Sequence, residues 1–114
     1  MEIHVATQYT RTPDVRFEHQ NKGKSGEGFR DKILLPKLKE CINRREKLYV
    51  YFDGCRGAGV SFLEEAFGGL IRKGISYADI QSFLVIVWNN NPRKLIQIDS
   101  FIKKAYHDGQ KKGL

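Results

Sequence analysis

Two short apolar runs constrain the fold more than anything else in this chain. "KLYVYF" (47–52) and "SFLVIVW" (82–88) are rich in β-branched and aromatic residues, and their lengths suit strands rather than helices. The first does not alternate strictly, which suits a strand buried on both faces of a parallel sheet. The second is the most apolar run in the chain and reads as a central strand. "EIHVA" (2–6) alternates loosely and reads as a first strand.

Between these runs the period changes. Phe29, Ile33, Leu34, Leu38, Cys41 and Ile42 recur at three and four residues, predicting a helix from Glu27 to about Arg44. Ser25 is placed as its N-cap, with Glu27 in the first turn. Pro36 cannot donate to the carbonyl of Lys32, which predicts a kink or break near Leu35. Phe62, Leu63, Ala66, Phe67, Leu70 and Ile71 make a second helical stripe. "SYADIQ" (76–81) reads as one helical turn. Leu95, Ile98, Phe101, Ile102 and Ala105 mark a last helix, with Asn91 as N-cap and Pro92 in first position.

Strands alternating with helices predict an α/β fold with mostly parallel neighbours. At 114 residues this is a single domain, 1–114. Residues 7–26 hold Pro13, Asn21, Gly23, Gly26 and many charges, and are read as flexible or irregular, with a short strand at "DVRFEH" (14–19). Residues 107–114 read as a basic tail.

Composition narrows the setting. No apolar run approaches membrane-spanning length, and "MEIHVATQYT" lacks the features of a signal peptide. Cys41 and Cys55 do not make a disulfide framework. A cytoplasmic location is expected. The net charge is +7, carried by scattered pairs such as Arg44-Arg45, Arg72-Lys73 and Lys103-Lys104. Cations near helix C-termini complement the dipole and stay solvated. No helix-turn-helix, zinc spacing or aromatic-rich RNA-binding strand accompanies them. The plain reading is a solvated basic surface, with a nucleic-acid-binding module as an alternative.

The chemistry concentrates in "YFDGCRGAGVSFLEEAFGGL" (51–70). Its loop holds Asp53, Gly54, Arg56, Gly57 and Gly59 and runs from a strand into a helix, where a phosphate cradle is often built. It has no Gly-Lys-Ser/Thr ending and not the dinucleotide spacing, so nucleotide or anion binding by 54–59 stands only as a further alternative. Asp53 beside Gly54 is a common turn pairing. Cys55 is read first as a small loop residue and second as a thiol activated beside Arg56. His4, His19 and His107 show no metal-ligand spacing. Glu64 and Glu65 are adjacent, about 100° apart on a helix, and form no matched acid/base pair. No catalytic residue, cofactor or metal is expected, and the chain is read as a non-enzyme.

Ser61-Phe62-Leu63-Glu64 matches a capping box, with Ser61 as N-cap and Glu64 reaching back. Glu65 lies nearer the polar face and is read as a partner contact. Gly68 and Gly69 each cost roughly 1 kcal/mol inside a helix. Two in succession imply something pressed on the backbone there, a neighbouring strand or a partner protein.

The stretches "SGEGFRDKILLPKL" and "LYVYFDGCRGAGVSFLEEAFGGLIRKG" resemble the bacterial STAS-like domain family of unknown function, itself related to the anti-sigma-factor antagonists. The resemblance covers about residues 3–105. It implies a sheet of four or five mixed strands with helices on one side, and a regulatory protein-interaction role. In the better-known antagonists this strand-to-helix junction carries a serine phosphorylated by a GHKL-type ATPase or kinase partner. Ser61 stands at the corresponding junction, though Gly59 and Val60 replace the aspartate that precedes the serine there. The resemblance therefore implies Ser61 as candidate phosphoacceptor, with the loop, Glu64, Glu65, Gly68 and Gly69 as the partner surface.

Overall fold

Strands Glu2–His4 (β1), Leu48–Tyr51 (β2) and Leu84–Val87 (β3) form one sheet in the order β1-β2-β3, and both pairings are parallel. The computed structural model describes residues 1–112. Parallel neighbours need crossovers long enough to return the chain, and each crossover here is helical.

The sheet has three strands, all parallel, and not four or five of mixed sense. The expected strand at 14–19 reduces to one bridge between Val15 and Ser25. Local turns take its backbone groups instead: the Gln20 amide donates to Phe17 O at 3.0 Å and the Phe17 amide to the Gln20 side chain at 2.8 Å. The segment is irregular but tied down, with Asp14 N donating to Lys24 O at 3.0 Å and Gly26 N to Val15 O at 2.9 Å. β1 stops at His4 because the chain coils into Val5–Gln8 (α1), where the Gln8 side chain accepts the His4 amide.

β2, not β3, is the central strand. The apolar run 82–88 stands at the sheet edge, and its first two residues belong to helix Tyr77–Phe83 (α6), capped by Ser76 accepting from Asp79 N at 3.1 Å. All four residues of β3 remain partly exposed.

Two helical runs carry an unusual feature. Gly26–Phe29 (α2) continues through a π-helical turn, Arg30–Leu34, into Leu35–Arg44 (α3). Val60–Leu63 (α4) continues through a second π turn, Glu64–Gly68, into Gly69–Arg72 (α5). The α-helical pattern is thus interrupted just before Leu35, close to where Pro36 predicts a kink or break, while the chain stays helical throughout. The Leu35 amide reaches back five residues to Arg30 O, and the wider turn places Pro36 in the first turn of α3. The last helix, Pro92–Lys112 (α7), begins at Pro92 and absorbs the described part of the basic tail; residues 113–114 lie outside the described residues.

Ile3, Leu48, Val50 and Phe52 point from the sheet into a core completed by Leu38, Phe67, Leu70 and Ile98. Glu2, His4 and Tyr49 alternate with them on the opposite face and are exposed. The helices accordingly cover one side.

Candidate functional site

The segment after β2 is built around one buried stack. Phe52 lies on Trp88 with ring centroids 4.8 Å apart, so the loops after β2 and β3 leave the sheet together. Asp53 ties them: its carboxylate accepts the Asn89 amide at 2.8 Å and Asn89 Nδ2 at 3.0 Å. Gly54 follows at φ 95°, a turn that a side chain would resist. Three loop amides are then consumed by chain carbonyls. Cys55 N donates to Phe52 O at 3.0 Å, Arg56 N to Arg11 O at 2.9 Å and Gly59 N to Pro13 O at 3.2 Å. These amides point at three different carbonyls, not at one shared anion. Lys94 Nζ is likewise held by Ala58 O at 3.1 Å. Asp53, Gly54 and Arg56 are exposed, while Gly57 and Gly59 are half-buried.

The Cys55 thiol is not activated. Burial pushes it up to about 11, the Asp53 carboxylate adds to the rise, and the sulfur lies 3.6 Å from Thr10 O. It stays protonated at neutral pH, the reverse of what its neighbour Arg56 suggests in sequence.

The capping box is not formed. Helix α4 begins two residues early, with Gly59 in extended conformation as its N-cap and no side-chain cap. Gly59 holds this place because its backbone lies against the Asp14 carbonyl, where a Cβ would collide. Ser61 is thus the second residue of the helix and is exposed. Its side chain makes no hydrogen bond among the described residues. It lines a shallow cleft with Asp14, Arg16, Phe17 and Gln20.

Glu64 and Glu65 turn to a different task. Arg30 is 3% exposed, and its Nη1 donates to Glu65 Oε2 at 2.5 Å and to Glu65 O at 3.0 Å. Its Nε donates to Asp31 at 2.9 Å. Arg16 bridges Glu64 at 2.5 Å and Glu65 at 3.2 Å, and Arg72 closes on Glu64 at 2.8 Å. Burial alone would raise the Glu64 carboxyl, but the hydrogen bonds from Arg72 and Arg16 outweigh it and hold it below its ordinary range. The Glu65 side chain is only 13% exposed, so it is not the open partner contact expected from the polar face.

The paired glycines find their reason here. A Cβ on Gly69 would meet the Arg30 guanidinium, and one on Gly68 the Glu64 carboxylate. Both are buried and belong to the helix contact, not to a partner surface. The pressed neighbours are side chains of this chain, the Arg30 guanidinium at Gly69 and the Glu64 carboxylate at Gly68, and not a strand. Across the same contact, a Cβ on Gly26 would strike the Phe62 carbonyl, and Phe29 lies beside Phe62 at 5.8 Å. Ser25 is fully buried and caps α2, accepting from Gly28 N at 2.9 Å while its hydroxyl donates to Glu18 at 2.6 Å. Sequence reasoning missed Arg30 and Arg16 as partners of the glutamates; the costly glycine pair was the signal that pointed to them.

Among the described residues no three His, Cys, Asp or Glu side chains are grouped to hold a metal ion. No helix of the described residues is long and apolar enough to cross a membrane. Both cysteines are free. No curated protein and no solved structure matches the chain. A family model described as "STAS-like domain of unknown function (DUF4325)" matches residues 25–94, the span that runs from the Ser25 cap to the first turn of α7.

Proposed function

The chain belongs to this STAS-like family, and on that premise we propose that it works as a regulatory protein-interaction module, without catalysis of its own. The docking surface is the exposed part of loop 53–61 with the first turn of α4. A GHKL-type ATPase or kinase-like partner recognises it, and Ser61 is the control point. The observation that carries this reading is the state of Ser61: exposed, and without a capping duty.

A phosphate on Ser61 would stand in the first turn of a continuous helical run made of α4, the π turn and α5. Free amides and the helix dipole favour an anion there. Glu64 and Glu65 would not repel it strongly, because Arg16, Arg30 and Arg72 already neutralise them. The dianion would instead change the charge and bulk of the cleft beside Arg16.

The test has two arms. Purified chain is incubated with host lysate and ATP, and Ser61 is examined by mass spectrometry, with Ser61→Ala as control. Wild type and Ser61→Asp are then used as bait for the same partner. Modification at Ser61, with capture reduced at least about tenfold by Ser61→Asp, a loss of at least about 1.4 kcal/mol, supports the reading. Equal capture by both baits removes Ser61 as a switch.

A further inference from the structure

We infer that the β3 edge is an interface between two copies of this chain, paired antiparallel about a two-fold axis at Ile86. The inference concerns a different face from the loop at Ser61 and does not rest on that reading.

Among the described residues, the most apolar run of the sequence has no strand partner on one side. β3 carries Leu-Val-Ile-Val, without the charge, proline or bulge that usually protects an edge. The core is open beside it. A cleft of ≈ 200 Å³ is lined by Leu84, Ile86, Ile80, Leu95, Ile98 and Ile102, with Gln81 and Asp99 also in its wall. Leu84 and Ile86 face this cleft because Val85 and Val87 alternate onto the other face.

The backbone groups at the edge are self-complementary. Val87 O accepts the Phe52 amide at 2.9 Å, so Val87 directs its backbone groups at β2. Backbone groups of a parallel strand alternate sides, so those of Leu84, Ile86 and Trp88 point outward. Two of them are already used: the Leu84 amide donates to Ile80 O, and Trp88 O accepts from Asn91 N at 3.2 Å. What remains is Leu84 O, both groups of Ile86, and the Trp88 amide. An antiparallel pair centred on Ile86 uses all of them. The two Ile86 residues exchange both bonds, and each Leu84 carbonyl accepts the other copy's Trp88 amide. The axis keeps both helix layers on one side, so each copy's Ile86 side chain reaches the other's open cleft.

Charge points to a second copy as the occupant. The net charge of +7 opposes association in general, but this flank is an exception. Along α7, Ile96, Asp99 and Lys103 succeed one another at helical spacing past the cleft-lining Leu95. Asp99 and Lys103 pair at 2.9 Å. Two such helices related by the axis run antiparallel, which sets each Asp99 against the other copy's Lys103. Ile96, 70% exposed in the single chain, gains cover on the same flank. A two-fold pairing of one patch with itself is also closed, so it ends at two chains.

The full chain is measured by sedimentation equilibrium and light scattering across a concentration series to about 100 μM. The expected mass is that of two chains. Ile86→Asp is expected to give one chain. Asp99→Lys, on the helix surface, is expected to weaken the pair at least about tenfold by setting lysines face to face, and adding Lys103→Asp is expected to restore it. Ser61→Asp is expected to leave the mass unchanged, which separates this interface from the loop. A wild type that stays single throughout, or that grows without limit, overturns the inference. A pair indifferent to both Ile86→Asp and Asp99→Lys overturns it as well. In the first of these outcomes the edge is left to a strand from another protein.

Discussion

Ser25 and Ser61 look alike in sequence: each precedes a helical stripe, and each is followed by a glutamate within three residues. In the fold they are opposites. Ser25 is fully buried, caps its helix and binds Glu18. Ser61 is exposed, and Gly59 does the capping. The difference comes from their neighbours. Gly26 lets α2 pack directly on the Phe62 backbone, which drives Ser25 inward, while the Gly59 contact with Asp14 starts α4 early and turns Ser61 out. The buried serine is part of the fold's construction, and the exposed one is available for something else.

The largest test of this contrast lies beneath Ser61. Glu65→Ala strips the buried Arg30 of one of its two carboxylate partners and should cost about 3 kcal/mol in denaturant unfolding. Next, Ser25→Ala should cost about 1–2 kcal/mol, and Ser61→Ala no more than about 0.5 kcal/mol; equal losses would erase the contrast.

Acid sensitivity should follow the same division. The Glu64 carboxyl is depressed in the fold, so its stabilisation is present above the unfolded value near about 4.3 and is lost as pH falls through the folded value. Glu64→Gln should flatten the decline of stability below about pH 4.5. Ser61→Asp should move stability in the opposite direction. An acidic residue in the first turn should raise the melting midpoint slightly, by at most about 1 kcal/mol of stability, even as partner capture falls. A marked destabilisation would mean that capture fell through unfolding and not through docking.

Much of this was legible in the chain. The two apolar runs and the changes of period located β2, β3 and the long helices, because burial imposes those patterns directly. Ser25 was legible because a cap is a local contact. Ser61 misled for the same reason: its capping box is a local pattern, overruled by a tertiary one between Gly59 and Asp14. The central place assigned to 82–88 failed differently. Hydrophobicity reports that a strand is to be covered and says nothing of whether its own chain covers it. Gly68 and Gly69 announced a close neighbour; at Gly68 it is Glu64, one turn away, but the Arg30 guanidinium at Gly69 lies more than thirty residues away in the chain, beyond the reach of any local rule.

Trp88 gives these surfaces a natural reporter. It is the one tryptophan of the chain, 6% exposed and stacked on Phe52, at the outer end of β3 and one residue from the Asn89 clasp on Asp53. Its emission is therefore sensitive to two events near the indole, a covered strand edge and a loosened loop. Fluorescence anisotropy and emission maximum, followed as the chain is concentrated or a partner is added, can resolve the two without a label.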